Sequence, residues 1–356
     1  MKIVQIVTQM EAGGAQRVAM LLGEALRERG YESEVWFLYL KRPTYVNFPG
    51  VRVLLDHSPS ASDYVKIAIE LQHLLHSHKP DVLITHTYYA NILGQFLARF
   101  CGVPIRVAVQ HNPVSSYPKV AGWADWVLGT TAFYSANVAV SQAVVDSAAN
   151  YPTLYKKTLT KIYNGIPDLE VKESLKEVRA YWGLPENAPL LLNVGRLARQ
   201  KNQATLLEAL LHIPEAHLLL VGEGELRTSL QNKAAELQLE ERVHFLGELQ
   251  SQQVLSLLCV SDVFVFPSFF EAMPMAVVEA MGLGLPVVAG DIPALREVLG
   301  DAGILVPSES AEEIARGIRQ ILDSSELAST MRQRSLERAR LFSLQKMVDS
   351  YEALFI

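Results

Sequence analysis

The stretch FEAMPMAVVEAMGLGLPVVAG, residues 270–290, contains two glutamates inside an otherwise apolar run. Pro274 suits the first turn of a helix, because its missing N–H would have no partner there and its φ is already set. Glu271 then lies in the loop before the helix, and Glu279 lies about two turns along it. The final residues, 285–290, are rich in valine and indicate a buried strand. The stretch therefore predicts one helix-and-strand unit of a parallel α/β sheet.

A buried carboxylate costs roughly several kcal/mol unless a partner compensates it. We interpret Glu271 and Glu279 as ligands for a polyhydroxylated molecule, one binding sugar hydroxyls and the other the hydroxyls of a ribose. Phosphate oxygens would bind the backbone around the helix start. The residues of that start are Ala272, Met273, Pro274 and Met275. A helix cap at Glu271 and an ion pair at Glu279 remain the alternative.

A glycosidase would use two such carboxylates as acid and base, about 5 to 9.5 Å apart. Eight residues of helix would separate them by roughly 12 Å. Hydrolysis is therefore disfavoured.

Short β-branched runs alternate with longer helical patterns along the chain, which is typical of repeated βαβ units. The runs in the first half lie at 2–8, 33–39, 81–86, 105–111 and 136–141. Those in the second half lie at 189–195, 216–222, 242–247, 262–268, 285–290 and 303–307. The pattern predicts two Rossmann-like halves.

The domain boundaries follow from these two series of strands. Residues 1–168 form an N-terminal domain and residues 169–342 a C-terminal domain, with a crossover at 164–183. The pattern of residues 343–356 predicts an amphipathic helix that crosses back to the N-terminal domain.

The segment NVGRLARQKN, residues 193–202, lies where a predicted strand ends and a helix begins. Ligands of open α/β sheets bind beyond the carboxyl ends of strands, so Arg196 and Lys201 emerge where an anion would bind. Together they suit a diphosphate. Each charged hydrogen bond contributes about 1.5 to 3 kcal/mol, more than the roughly 0.3 to 1 kcal/mol of a helix dipole. Two cations on an exposed helix start remain the alternative.

Strand ends in the first half also carry candidate ligand groups. Gly13 and Gly14, in EAGGAQRVA (11–19), allow a ligand to approach the backbone closely at a helix start. His111 closes a predicted strand, and its imidazole would hydrogen-bond a sugar hydroxyl or an acceptor. His86 has a similar position, and a structural role remains equally open for both histidines.

Composition excludes several classes of protein. The formal net charge of −6 does not indicate nucleic-acid binding. Cys101 and Cys259 are far apart in sequence, so no disulfide framework or metal site is indicated, and a reducing cytoplasm fits best. No apolar run approaches the roughly 18 to 20 residues that span a bilayer. Trp123 and Trp126, with Tyr117 and Phe133, could contact the inner face of a membrane, although packing in a core or groove is favoured.

Several motifs together carry a family resemblance. They are GGAQRVA, VQHNP, VAVSQAV, YNGIP, VGRLARQKN, LVGEGELR, FLGEL and FEAMPMAVVEAMGLGLPVVA. Their order and spacing resemble family 4 glycosyltransferases over almost the whole chain. The resemblance implies α/β GT-B architecture, with two Rossmann-like domains facing a central cleft. It also implies retaining transfer of a sugar from a UDP- or GDP-sugar, without a metal ion or cofactor.

The resemblance assigns roles by position. Arg196 and Lys201 correspond to the clamp on the donor diphosphate, and Glu271 corresponds to the carboxylate that binds donor-sugar hydroxyls. Glu279 corresponds to the ribose ligand, and His111 to the histidine at the reacting sugar.

Three further residues belong to the loop motifs. Gly14 corresponds to the glycine near the donor phosphate. Ala272 stands where the family often has Gly, and Gln16 where Glu is frequent, which leaves loop shape and sugar choice open.

The implied enzyme binds its acceptor in the first domain and its donor nucleotide in the second. The acceptor is a glycan or a lipid-linked glycan of polysaccharide assembly, and peripheral membrane contact stays open. Two rivals also stay open: a nucleotide-sugar epimerase of GT-B fold, and a non-catalytic nucleotide-sugar-binding protein.

Overall fold

The computed structural model describes residues 1–170 and 174–356. They form two compact units, one of residues 1–167 with 343–356 and one of residues 168–342. Part of the predicted crossover, residues 171–173, lies outside the described residues. The short helix expected after it spans Leu175–Tyr181.

The first unit is built on a parallel sheet with seven strands in the described residues. The strands are β1 (Lys2–Met10), β2 (Glu32–Leu40), β3 (Val51–Val53), β4 (Val82–His86), β5 (Ile105–Gln110), β6 (Ala136–Ala139) and β7 (Leu159–Lys161). The helices are α1 (Gly14–Glu28), α2 (Asp63–His78), α3 (Tyr88–Phe100), α4 (Lys119–Thr130), α5 (Gln142–Ser147) and α6 (Thr153–Thr158). The strand order is β3-β2-β1-β4-β5-β6-β7, so the chain reverses direction across the sheet between β1 and β4.

The second unit repeats this plan with six strands among its described residues. Its strands are β8 (Leu190–Val194), β9 (His217–Val221), β10 (Val243–Gly247), β11 (Val263–Phe266), β12 (Val287–Gly290) and β13 (Gly303–Val306). Its helices are α7 (Leu175–Tyr181), α8 (Gln203–Leu211), α9 (Arg227–Glu236), α10 (Ser251–Val260), α11 (Met275–Gly282), α12 (Pro293–Leu299), α13 (Ala311–Leu322) and α14 (Ser325–Ala339). The order β10-β9-β8-β11-β12-β13 places its switch point between β8 and β11.

Burial explains why these strands could be read from the sequence. Strands of a parallel sheet are covered on both faces and therefore appear as continuous apolar runs. All of β4 and all of β11 are buried. A few polar residues interrupt this pattern in the first sheet, and Gln5 and His86 are each fully buried.

The strands predicted from sequence are all present, within one or two residues at their ends. β3 and β7 were not predicted. Each has three residues and lies at an edge of the first sheet, too short to show alternation or a sustained apolar run.

The last helix, α15 (Leu344–Glu352), belongs to the first unit. Its Asp349 accepts a hydrogen bond at 2.6 Å from Arg29, the residue that follows α1, and Glu352 also pairs with Arg29. The N–H of Leu344 donates to the carbonyl of Ile166 at 2.7 Å. Among residues 1–170 and 174–356, no helix combines the length and apolar character required to cross a bilayer.

Candidate functional site

Loops at the carboxyl edge of each sheet carry the candidate residues. In the second unit, the loop after β8 holds Arg196 and Lys201, and the loop after β11 holds Glu271. Because β8 and β11 are neighbours, these loops leave the same edge of the sheet side by side. In the first unit, Gly14 follows β1 and His111 follows β5, also at the carboxyl edge.

Hydrogen bonds tie the loop after β8 to the loop after β11. The N–H of Phe269 donates to the carbonyl of Gln200 at 2.9 Å, and the Gln200 side chain donates to the carbonyl of Phe270 at 2.7 Å. Asn202 has a φ of 56°, a left-handed conformation that asparagine tolerates. Its side chain donates to the carbonyl of Pro267, directly after β11, at 3.3 Å, and to the carbonyl of Ser308, after β13, at 2.6 Å. The lysine between Gln200 and Asn202 is therefore held against the loop after β11.

Lys201 and Glu271 form a largely buried ion pair. Nζ of Lys201 lies 2.5 Å from Oε1 of Glu271, and the two side chains are 16% and 8% exposed. The ammonium also lies 4.6 Å from the centroid of the Phe266 ring, a cation–π contact. Little water screens the pair, so its attraction exceeds that of a surface ion pair. The structure thus brings these two candidate residues into direct contact.

Arg196 is bound to a different carboxylate. Its Nη2 and Nε atoms donate to Oε2 of Glu225 at 2.9 and 3.1 Å. The Arg196 and Glu225 side chains are 71% and 53% exposed. A surface ion pair of this kind stabilises the fold little, so Arg196 can exchange Glu225 for an anionic ligand. The two cations predicted to clamp a diphosphate therefore pair with separate carboxylates in this structure.

The loop after β9, VGEGELR (221–227), packs directly on the loop after β8. The N–H of Gly195 donates to the carbonyl of Val221 at 2.9 Å. Gly222 has a φ of 130°, and a Cβ on it would lie 2.1 Å from the carbonyl oxygen of Gly195. Glycine is therefore required at this contact. The close approach of the two loops places Glu225 beside the arginine.

The helix that carries the second glutamate begins one residue later than predicted. Pro274 has an extended ψ of 99° and precedes the first helical residue, Met275. Glu279 is four residues past Met275 and so lies about one turn into α11, not the two turns predicted from the sequence, and it is 2% exposed. The side chains of Ala272, Met273 and Met275 are buried. The first N–H groups of the helix, which have no acceptor one turn earlier, lie at this point.

Gly13 and Gly14 lie at the start of α1. Gly13 is the N-cap and Gly14 the first helical residue. A Cβ on Gly13 would meet the side chain of Gln16, whereas a Cβ on Gly14 would meet no atom within 4 Å. The space beside Gly14 is therefore open at a helix N-terminus, where anions bind favourably.

His86 and His111 are in contact at the carboxyl edge of the first sheet. Nδ1 of His86 lies 2.9 Å from Nε2 of His111, and Nε2 of His86 lies 2.9 Å from Oε1 of Gln5. His86 is fully buried and His111 is 9% exposed. Burial and the neighbouring His111 hold the pKa of His86 well below its usual value, and burial lowers the pKa of His111 to about 4. Both imidazoles are neutral at pH 7.

The backbone directly after His86 is strained. Thr87 has a φ of 74°, which is rare for a β-branched residue. Its hydroxyl forms a 2.6 Å hydrogen bond with the hydroxyl of Thr8, at the end of β1. Strain of this kind is found preferentially at functional sites.

Sequence analysis missed two residues of the candidate site. They are Gln5, which contacts His86, and Glu225, which pairs with Arg196. A signal existed for Gln5, because a glutamine within the apolar run KIVQIVT needs hydrogen-bond partners if the strand is buried. Glu225 gave no signal, since a carboxylate in an exposed turn has no characteristic pattern.

Two tryptophans of α4 lie outside the core. The sequence favoured packing in a core or groove, and Trp123 does line an apolar groove beside Leu128. Trp123 is 66% exposed and Trp126 is 37% exposed. The helix turns Ala121, Asp125 and Leu128 inward. Its inner face therefore includes a carboxylate, and the tryptophans lie on the outer side.

The same outer surface carries further exposed apolar residues, Phe96 and Phe100 of α3 and Val120 of α4. Phe133 stacks on Phe96 with 5.7 Å between ring centroids. Tyr117, by contrast, is buried. We call Phe96, Phe100, Val120, Trp123 and Trp126 the apolar surface.

The described residues contain no group of three or more histidine, cysteine, aspartate or glutamate side chains placed to hold a metal ion. Cys101 and Cys259 lie in different units and form no disulfide with each other.

Each unit matches a family model. Residues 12–168 match Glycosyltransferase Family 4, and residues 175–338 match Glycosyl transferases group 1.

Similar proteins cover nearly the same length. LpsE of Rhizobium meliloti, a lipopolysaccharide core biosynthesis glycosyltransferase, is 27% identical over 352 residues, covering 95% of this chain and 94% of LpsE. An Escherichia coli enzyme, UDP-Gal:alpha-D-GlcNAc-diphosphoundecaprenol alpha-1,3-galactosyltransferase, is 28% identical over 320 residues, with coverages of 82% and 79%. Anabaena HepE, solved with UDP and glucose, has a TM-score of 0.86 at 21% identity, covering 99% of this chain and 98% of that one. The last comparison shows a shared fold.

Proposed function

Because the chain belongs to glycosyltransferase family 4, the group 1 glycosyltransferases, we propose that it transfers a hexose with retention and without a metal ion. Its architecture is GT-B, and it is a glycosyltransferase that uses a nucleotide-sugar donor. The proposed donor is a UDP- or GDP-sugar, and the proposed acceptor is a glycan or a lipid-linked glycan. No cofactor takes part.

The Lys201–Glu271 pair is the observation that carries this proposal. A nucleotide sugar places a hydroxylated ring one bond from a diphosphate. An ammonium and a carboxylate in contact, at the carboxyl edge of a sheet, match both groups at once. Lys201 would bind the diphosphate, and Glu271 would accept hydrogen bonds from sugar hydroxyls.

The surrounding residues complete the donor site. Arg196 would leave Glu225 and bind the diphosphate with its planar fork. The backbone at 272–275 would donate to phosphate oxygens at the start of α11. Glu279, one turn further, would bind the ribose hydroxyls.

The proposed chemistry takes place on one face of the donor sugar. The bond between the anomeric carbon and the phosphate oxygen breaks, and its electron pair stays on the phosphate. The acceptor oxygen bonds to the anomeric carbon from the same face, and its proton passes to the departing phosphate oxygen. Lys201 and Arg196 would accelerate this step by stabilising the charge that develops on the leaving group.

The first unit supplies the remaining proposed roles. The open space at Gly14, next to Gly13, suits a close approach of the donor phosphate to the start of α1. His111, at the carboxyl edge of the sheet, would orient the reacting sugar through its imidazole.

The apolar surface favours a lipid-linked acceptor. Tryptophan and phenylalanine side chains on two adjacent helices are suited to the interfacial region of a bilayer. The E. coli relative acts on a diphosphoundecaprenol-linked sugar, as its name states. We therefore propose that this surface contacts the membrane that contains the acceptor.

Vesicle binding tests the membrane contact. Trp123→Ala should reduce cosedimentation with vesicles that contain anionic lipid. Ile69→Ala, on α2, is the matched control, because the two side chains are similarly exposed at 66% and 64%. Equal losses in both variants would argue against a specific surface.

The reaction itself is tested by product analysis. The protein is incubated with UDP- and GDP-hexoses, with and without a lipid-linked glycan acceptor, and the anomeric configuration of the product is read by NMR. We expect retention, dependence on acceptor and no effect of EDTA. Inversion or loss of turnover in EDTA would contradict the mechanism. An epimer formed without acceptor would indicate an epimerase, and donor binding without any turnover would indicate a binding protein.

A further inference from the structure

His86 lies at the carboxyl end of β4, between β1 and β5, and both of its ring nitrogens are engaged inside the protein. Nε2 contacts Gln5 and Nδ1 contacts His111, each at 2.9 Å. Within residues 1–170 and 174–356, the contact to His86 is the only hydrogen bond of the His111 ring. Nδ1 of His111 is therefore the ring atom left for a ligand.

The direction of each hydrogen bond follows from Gln5. Its side-chain amide nitrogen donates to the carbonyl of Ala19 at 3.0 Å, so its oxygen is the atom that faces His86. A carbonyl oxygen only accepts, hence Nε2 of His86 carries the proton. Nδ1 of the neutral His86 is then an acceptor, and Nε2 of His111 donates to it.

These hydrogen bonds between Gln5, His86 and His111 determine which nitrogen of His111 is protonated. Both histidines are buried, and burial lowers the pKa of each, so each carries one proton at neutral pH. In His111 that proton is on Nε2. Its Nδ1 presents a lone pair and cannot donate.

We propose that His86, oriented by Gln5, is a positioning residue that holds His111 as the Nε2–H tautomer, so that Nδ1 accepts a hydrogen bond from a sugar hydroxyl. The inference rests on the proposed role of His111 at the reacting sugar. It specifies the recognised group as a hydroxyl that donates. Replacing that hydroxyl with fluorine, which cannot donate, should remove the contact.

The tautomer can be measured in the wild-type protein. In a long-range 1H–15N spectrum of protein labelled at histidine, protonated and unprotonated ring nitrogens have well-separated 15N shifts. We expect His111, identified by the loss of its signals in His111→Asn, to be protonated at Nε2. Protonation at Nδ1 would overturn the proposal.

Two substitutions of His86 test its effect on turnover. His86→Leu removes the acceptor for the Nε2–H of His111, whereas His86→Asn retains a carbonyl oxygen near the position of Nδ1. We expect kcat to fall about tenfold in the leucine variant, the effect of one lost hydrogen bond, and the His111 spectrum to show mixed tautomers. The asparagine variant should recover most of the loss. Binding of UDP should be unchanged in both, which also shows that they are folded. Unchanged kcat in His86→Leu, or no recovery in His86→Asn, would overturn the inference.

His111→Ala distinguishes the role of His111 at the sugar from the positioning role of His86. If it lowers kcat while His86→Leu does not, His111 acts at the sugar and only the positioning role fails. If His111→Ala retains the wild-type kcat, the proposed role of His111 fails, and the role of His86 fails with it.

Discussion

Nζ of Lys201 lies 2.5 Å from Oε1 of Glu271, although 70 residues separate them in the chain. The two residues follow adjacent parallel strands, β8 and β11, so both lie at the same point of the carboxyl edge of the sheet. Each neutralises the other in the absence of ligand. A diphosphate and a sugar ring could then bind to charges that are already desolvated and held in place, which limits the reorganisation needed on binding.

Lys201→Ala should affect both stability and nucleotide binding. It leaves the carboxylate of Glu271 buried without its cation, so we expect the free energy of unfolding to fall by about 3 kcal/mol. Loss of one charged hydrogen bond should weaken UDP binding about tenfold or more. Denaturant unfolding and titration calorimetry measure the two effects. Arg199→Ala is the control, since Arg199 is an exposed cation in the same turn. Unchanged UDP affinity in Lys201→Ala would rule out the clamp.

The double variant Lys201→Ala/Glu271→Gln separates the two effects. Removing the buried charge should restore part of the lost stability, whereas UDP affinity should stay low.

The two glutamates are expected to recognise different parts of the donor. Glu271→Gln should weaken binding of a UDP-sugar more than binding of UDP, because its carboxylate would contact the sugar. Glu279→Gln should weaken both alike, and should bind UDP and 2′-deoxy-UDP with similar affinity. Calorimetric titration of both variants with the three ligands checks this. Equal weakening of UDP and UDP-sugar by Glu271→Gln would refute the assignment.

Residue type and strand position allowed the candidate residues to be chosen from sequence, because ligand groups in a parallel sheet follow buried apolar strands. The pairing of Lys201 with Glu271 could not be predicted, since it depends on hydrogen bonds between two loops. The exposure of Trp123 also escaped sequence analysis. The inner face of α4 includes Asp125, which is fully buried and accepts hydrogen bonds from tyrosine hydroxyls. A pattern that assumes polar residues outside and aromatic residues inside assigns such a helix the wrong way round.

Glu225→Gln should strengthen diphosphate binding. In the wild-type protein, Glu225 holds the guanidinium of Arg196 at the surface, so a ligand must displace it. Removing the carboxylate charge should lower the Kd of UDP a few-fold at low salt, and added salt should diminish the difference. Glu223→Gln removes the same charge from the same loop, but its partner is Arg227. If the two variants behave alike, competition for Arg196 is not the cause.

Gly222→Ala tests whether loop contact is needed to place Arg196. The new Cβ would lie 2.1 Å from the carbonyl oxygen of Gly195, so the two loops must separate. We expect a loss of at least about 3 kcal/mol of stability and much weaker UDP binding. Gly183→Ala is the matched control: Gly183 has a φ of 63°, but a Cβ on it would meet nothing within 4 Å. The control should lower the free energy of unfolding by about 1 kcal/mol, because of backbone strain alone, and should bind UDP normally. Similar results for both variants would show that the loop contact is unimportant.

Unfolding at mildly acidic pH should take up protons at the His86–His111 pair. Both pKa values are lowered in the folded protein, that of His111 to about 4, whereas an unfolded histidine has a pKa of about 6.5. Below pH 6.5 the unfolded chain therefore binds more protons than the folded one. The stability that the pair contributes is fully present above pH 6.5 and is lost as the pH falls toward 4, by up to about 1.4 kcal/mol per pH unit for each histidine.

Potentiometry at pH 5.5 measures this uptake directly when the protein is unfolded in urea. His111→Asn should reduce the uptake by about one proton relative to wild type. His57 is exposed, and its hydrogen bond to Asp56 raises its pKa, so at pH 5.5 it is largely protonated in both states. His57→Asn should therefore leave the uptake nearly unchanged. If His111→Asn takes up as many protons as wild type, His111 is not held neutral by burial, and the tautomer inferred for it loses its basis.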